Sequence, residues 1–370
     1  MTGLKQELSR YATEIGIDLL GVCSPEPFGR YLAELDKRKH HYAGRFGHRL
    51  ETWRRLADPR SALPGARSVV VVGFYFLTSE EEEPKRGCGR FGRIVTHGHL
   101  GVLRRARLIV SFLEGKGVRA VMGAHRKEAA VRAGLGWIGK NGLVINGDYG
   151  SWVAYQSIVT DSVMEFDESV EDTFCGDCRA CLDACPTEAL YEPYRLDPRR
   201  CVTCLLTAEC IERQYWEHMP NYIMGCDLCQ EACPVNRGLA RKEHVESVLP
   251  ACLGDRPPLV RVLGLTENAF QGRIMSHVYG KVADSRLVGL IMRSRFLREF
   301  YRRRMKKNAV HREEVPETFV YATGKLLPYQ RNAIIAAANL NDRGTASELR
   351  RFIDHPVLGR YARWAVERIG

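Results

Sequence analysis

Cys175-Gly176-Asp177-Cys178-Arg179-Ala180-Cys181-Leu182-Asp183-Ala184-Cys185-Pro186 sets cysteines at the spacing C-x2-C-x2-C-x3-C-P. A shorter echo, Cys226, Cys229 and Cys233-Pro234, lies further along the chain. Three thiolates on one tight loop can grip three irons of a [4Fe–4S] cube. In proteins with two such cubes, the fourth cysteine of the run ligates the other one. The proline that follows suits the first position of a helix. On this logic Cys175, Cys178, Cys181 and Cys233 hold cluster 1, and Cys185, Cys201, Cys226 and Cys229 hold cluster 2. Cys201 replaces the first cysteine of an ordinary second run, and Cys204 and Cys210 are alternative thiols beside it. Four-cysteine zinc sites also use C-x2-C pairs, but eight thiolates with two C-x3-C-P endings favour two [4Fe–4S] clusters.

The rest of the chain is too long to serve only those clusters. It has 370 residues, enough for two or three domains. With 45% hydrophobic and 27% charged residues it is neither disordered nor fibrous. Ten of the 13 cysteines fall within residues 175–234, so a disulfide scaffold spread over a secreted chain is not expected. Cys23, Cys88 and Cys252 read as buried or incidental. Met1 to Arg10 is polar and lacks the apolar segment of a secretory signal. No uncharged run approaches the roughly 18 apolar residues of a membrane span. The expectation is a cytoplasmic protein with no membrane partner. The charge balance, Lys+Arg 55 against Asp+Glu 44, points weakly to an anionic partner.

Before the cysteines, residues 1–165 alternate helix and strand, which predicts an α/β layer domain. Leu4, Leu8, Tyr11 and Ile15 recur at helical spacing, and Asp18 to Val22 reads as a short strand. Ser68 to Phe76 is a continuous valine-rich and aromatic run, expected to be buried on both faces of a mainly parallel sheet. Glu80 to Lys85 reads as a solvated loop and Leu100 to Gly115 as a helix. The densest glycine cluster is Ala133-Gly134-Leu135-Gly136-Trp137-Ile138-Gly139-Lys140-Asn141. It does not sit in the strand–turn–helix setting of a dinucleotide loop. No nicotinamide, flavin or radical-SAM motif stands out, so an external low-potential electron donor is expected.

Residues 246–320 form an expected basic helical region; between 285 and 312 there are ten Lys/Arg and a single Glu, centred on Arg302 to Lys307. That excess suits contact with phosphates. Residues 321–370 show two helical patterns (Ala333, Ala336, Ala337, Leu340; then Tyr361, Trp364, Ala365, Ile369), resembling a HEAT-type pair that must pack on the preceding domain.

Taken in order, several segments resemble epoxyqueuosine reductases: Pro64 to Val69, Ala133 to Asn141, Tyr149-Gly150-Ser151-Trp152, the Cys175–Pro186 run, Gly225 to Gln230 and Arg331-Asn332-Ala333. The resemblance implies an α/β cobalamin-binding domain (1–165), a bacterial diferredoxin-like α+β domain with two [4Fe–4S] clusters (166–245), and a helical HEAT-like end. It implies a base-off corrinoid reduced through the clusters, tRNA as partner, and removal of the epoxide oxygen of epoxyqueuosine at the wobble position. By carry-over, Lys140, Asn141, Gly150, Ser151, Val202, Thr203 and Gly225 contact the cobalamin. A monomer is expected.

The resemblance breaks at one place. The family's proton-donating Asp stands fourteen residues before the first Gly of A-G-L-G, and here an ungapped count reaches Ala120. His125, His97 and His99 are the nearest groups that titrate near neutrality, and His125 is the expected donor. The missing Asp also leaves room for a second reading, a corrinoid and iron–sulfur reductase acting on a small molecule. A plain electron carrier is disfavoured, because it has no use for a macrocycle pocket.

Overall fold

The computed structural model describes residues 2–42, 47–79, 86–170, 175–282 and 324–370. The expected acidic loop at 80–85 and the basic stretch at 285–312 lie outside these.

The N-terminal layer is built on one four-stranded sheet. Its strands are β1 (Leu19–Cys23), β2 (Ser68–Tyr75), β3 (Ala120–Met122) and β4 (Val153–Thr160), in the order β1-β2-β4-β3. Every pairing in it is antiparallel, which corrects the mainly parallel sheet expected from the valine run. Burial on both faces was the sound half of that expectation, for every residue of β2 and β4 is buried. Two-sided burial requires only that both faces be covered, and antiparallel strands meet that condition as well as parallel ones.

Register shows what covers each face. Val71 pairs with Ser157, and Phe74, three positions on, faces the opposite way. Helix α3 (His99–Gly115) lies over Phe74 so closely that a Cβ on Gly101 would sit 2.1 Å from its ring. On the other face Ser157 Oγ donates to the Ala124 carbonyl at 2.6 Å, just before α4 (Arg126–Arg132). α1 (Thr2–Glu14) packs on α3, and α2 (Gly29–Lys37) follows β1.

The cysteine region is made of short turns. Two one-turn helices, Ala180–Asp183 and Leu228–Glu231, pack against each other. Cys201 precedes the helix Val202–Leu206, and Cys233 precedes the turn Pro234–Asn236. α5 (Leu326–Asn339) and α6 (Gly359–Ile369) pack together and share one apolar core with residues 202–278. The tie between them is polar. Arg331, 2% exposed, donates to the carbonyls of Leu206 (2.8 Å) and Ala208, and Asn332 donates to those of Leu206 and Ile223. A buried guanidinium spent on main-chain carbonyls satisfies a helix end that would otherwise be orphaned.

Candidate active site

A cavity of about 770 Å³ opens where the sheet layer meets the cysteine turns, at the upper end of the range usual for small-molecule sites. Cys185, Cys201, Cys226 and Cys229 all line it, while Cys175, Cys178, Cys181 and Cys233 do not. Within the second group, Cys175, Cys178 and Cys233 are near enough to push the Cys181 thiol up to about 11, after burial, which contributes most. Cys181 is also close enough to Cys229 to raise its thiol, so the two sets of thiols adjoin each other. All 13 cysteines are free thiols. Among the described residues no three His, Cys, Asp or Glu side chains converge as ligands of one metal ion would. Cys201 opens on the cavity and Cys204 does not; the Cys204 thiol, hydrogen-bonded to it, draws the Cys201 thiol down to about 7.

The glycine-rich segment forms a wall. After α4 the chain makes a two-stranded hairpin, Trp137–Ile138 with Val144–Ile145. Gly136, at φ +146, comes so close to the far strand that a Cβ would lie 2.2 Å from the Ile145 carbonyl. The hairpin loop presents Asn141, 7% exposed, to the cavity. Its Oδ1 accepts from the Leu143 N–H at 3.1 Å, and its Nδ2 is buried without a partner. Lys140 turns the other way, donating to the Gly176 and Cys178 carbonyls on the first cysteine loop.

Ser151, Val202 and Thr203 line the cavity; Gly150 and Gly225 do not. Gly150, at φ +56, is required by a protein neighbour: a Cβ would stand 2.0 Å from Asn236 Oδ1. That amide accepts from the Ser151 N–H (2.9 Å) and donates to Ser151 Oγ (2.9 Å) and the Gln230 carbonyl (2.7 Å). Gly225, at φ +74, packs on Gly92, whose Cα a Cβ would meet at 3.1 Å. Both glycines hold the frame behind the cavity wall.

α2 and α4 supply titratable groups to the same cavity. Arg30, Tyr31, His125, Lys127 and Glu128 line the cavity, with Arg38 and Arg195 also on its walls. His125 is the N-cap of α4, accepting the Glu128 N–H on Nδ1 at 3.4 Å, and its ring lies 4.0 Å from that of Tyr31. The surrounding protein brings its pKa down to about 3, with Lys127 and Arg126 adding repulsion, so the imidazole is neutral near pH 7. Lys127 Nζ donates to the Gly142 carbonyl at 2.7 Å. His97 and His99 lie elsewhere. His97 is 5% exposed, with Nδ1 at 2.7 Å from Thr96 Oγ1 and Nε2 at 3.4 Å from Asp255.

Sequence reasoning missed α2, Lys127 and Glu128. Nothing in the sequence of either segment says what it faces. Asp227 was missed as well: it is fully buried, accepts the Arg93 N–H at 2.9 Å, and fixes the turn between Cys226 and Cys229.

Residues 174–236 match the family model described as a 4Fe-4S double cluster binding domain. The epoxyqueuosine reductase of Lactococcus garvieae is 28% identical over 392 residues, covering 100% of this chain and 97% of that protein. The epoxyqueuosine reductase of Leadbetterella byssophila is 30% identical over 264 residues, 68% of this chain and 85% of its own. Among solved structures, an epoxyqueuosine reductase crystallised with an epoxyqueuosine-modified tRNA-Tyr stem loop superposes with a TM-score of 0.79 at 27% identity. That likeness covers 100% of this chain and 90% of the other.

Proposed function

This chain belongs to the epoxyqueuosine reductase family, and we propose that it reduces the epoxide of epoxyqueuosine in tRNA to the alkene of queuosine. Both C–O bonds of the epoxide break and a C=C bond forms. The oxygen leaves as water, taking two electrons and two protons. The observation that carries this reading is one shared cavity, lined both by the cluster 2 cysteines and by protonatable groups from α2 and α4.

In this reading Cys175, Cys178, Cys181 and Cys233 hold cluster 1. Cys185, Cys201, Cys226 and Cys229 hold cluster 2, the one next to the cavity. An external low-potential donor, a monomeric protein and a cytoplasmic location complete the proposal; among the described residues no helix is long and apolar enough to cross a membrane. Cobalamin, the corrinoid cofactor of this family, supplies a low-potential centre able to act on carbon when bound. The wall residues fit such a group. A corrinoid is fringed with amides, and the partnerless Asn141 Nδ2 is a donor pointing to a ligand outside the protein. Ser151, Val202 and Thr203 complete that side. Asn236 ties Ser151 to the turn after Cys233, so the wall and the cluster loops hold one geometry. Lys140 does the same for the Cys175–Cys178 turn. Arg30, Arg38 and Arg195 place cations around the cavity, which suits a polyanionic tRNA.

The test is retention of corrinoid. Anaerobically reconstituted protein passed through gel filtration should keep cobalamin, seen by its visible absorbance, and an Asn141→Leu variant with intact clusters should bind it more weakly. A double-cluster protein that releases all its cobalamin would overturn the reading.

A further inference from the structure

The departing epoxide oxygen needs a proton, and this chain has no carboxylate where its relatives' motif predicts one. Five side chains of α2 and α4 that line the cavity could supply it: Tyr31, Glu34, His125, Lys127 and Glu128. Glu34 accepts a hydrogen bond from Lys37 Nζ at 3.0 Å, which holds its carboxyl below the usual range and leaves it no proton to give. Near pH 7 a proton donor must be able to take up a proton and be acidic enough to give it up. His125 is neutral there, with its Nδ1 occupied by the Glu128 N–H. Burial raises the Tyr31 phenol further above its ordinary value, so it holds its proton too firmly. The Lys127 ammonium is tied to the Gly142 carbonyl, on the hairpin wall.

Glu128 is the remaining group. It stands in the first turn of α4, and among the described residues no hydrogen bond or ion pair engages its carboxyl. We propose that Glu128 is the catalytic acid of this chain, giving its proton to the epoxide oxygen as the C–O bond breaks. The proposal rests on the epoxide-reducing reading above. Its balance is complete: the two electrons come from the external low-potential donor through the clusters, Glu128 becomes a carboxylate, and solvent supplies the second proton and reprotonates the carboxyl. The groups facing Glu128 are Arg30 and Tyr31 from α2 and His125, Lys127 and Arg132 around α4. Arg30, Arg132 and Lys127 favour the carboxylate, but burial outweighs them and raises its pKa, which keeps the acid form available to higher pH than an exposed glutamate would.

The experiment compares wild type, Glu128→Gln and Glu128→Asp, each reconstituted anaerobically with iron, sulfide and cobalamin, on tRNA bearing epoxyqueuosine. The Gln variant keeps shape and hydrogen bonding but has no proton to give. It should lose about 10²–10⁴-fold in kcat, with cluster absorbance, corrinoid content and tRNA affinity unchanged. Glu128→Asp should recover part of the rate. The wild-type rate should fall as pH rises through the Glu128 pKa, and that limb should be missing from the residual activity of the Gln variant. A Glu128→Gln enzyme within threefold of wild type, or one that keeps the alkaline limb, overturns the assignment. If the loss is instead reproduced only by Lys127→Met, the acid is Lys127. Wild type that holds its cofactors but converts no epoxyqueuosine overturns the reading beneath the assignment, and the assignment with it.

Discussion

Cys201 shows how far single residues can be read. Spacing left it competing with Cys204 and Cys210 for one ligand position. In the structure only Cys201 of the three lines the cavity, together with Cys185, Cys226 and Cys229. Cys201→Ala should therefore lose about half of the bound iron, since one of two clusters loses a ligand, whereas Cys204→Ala should keep nearly all of it. Iron and sulfide analysis of the purified reconstituted proteins decides this; the reverse pattern would move the ligand to Cys204. The double-cluster segment was legible because a cube demands fixed spacings along the chain. The identity of the acid was not. Glu128 reaches the cavity through the packing of α4 on β2 and β4, and nothing within residues 126–132 announces what they will face.

At the scale of elements, periodicity found the helices better than it found their partners. α1, β1 and α3 lie close to where the apolar spacing puts them. Strand direction was misread, because a run buried on both faces reports coverage and not orientation. Gly150 was expected to contact the cobalamin; its protein neighbour is Asn236, 84 residues or more away in sequence from the Tyr149–Trp152 turn, and sequence carries no sign of that approach. Gly150→Ala forces a Cβ into the Asn236 amide at a left-handed φ. It should cost about 1–3 kcal/mol, read as a lower denaturation midpoint with the slope unchanged. Stability equal to wild type would show that Asn236 does not clamp this turn. Since Asn236 also holds Ser151, the same variant should loosen the cavity wall.

Across the whole molecule, two cores meet at one cavity. The sheet layer forms one core, and residues 202–278 with α5 and α6 form the other. α5 is fastened by Arg331 and Asn332 to the segment that begins at Cys201, so it braces that turn from behind. Order along the chain separates these parts; closure of the fold brings Cys185, Cys201, Cys226 and Cys229 and the protonatable groups of α2 and α4 to one cavity. The central claim is that this space is where an epoxide is reduced. The most direct measurement is mass spectrometry of tRNA bearing epoxyqueuosine after incubation with the anaerobically reconstituted protein and a low-potential reductant. The account predicts a product lighter by one oxygen, identical to queuosine. A protein with both clusters and its corrinoid in place that leaves the epoxide intact would contradict it.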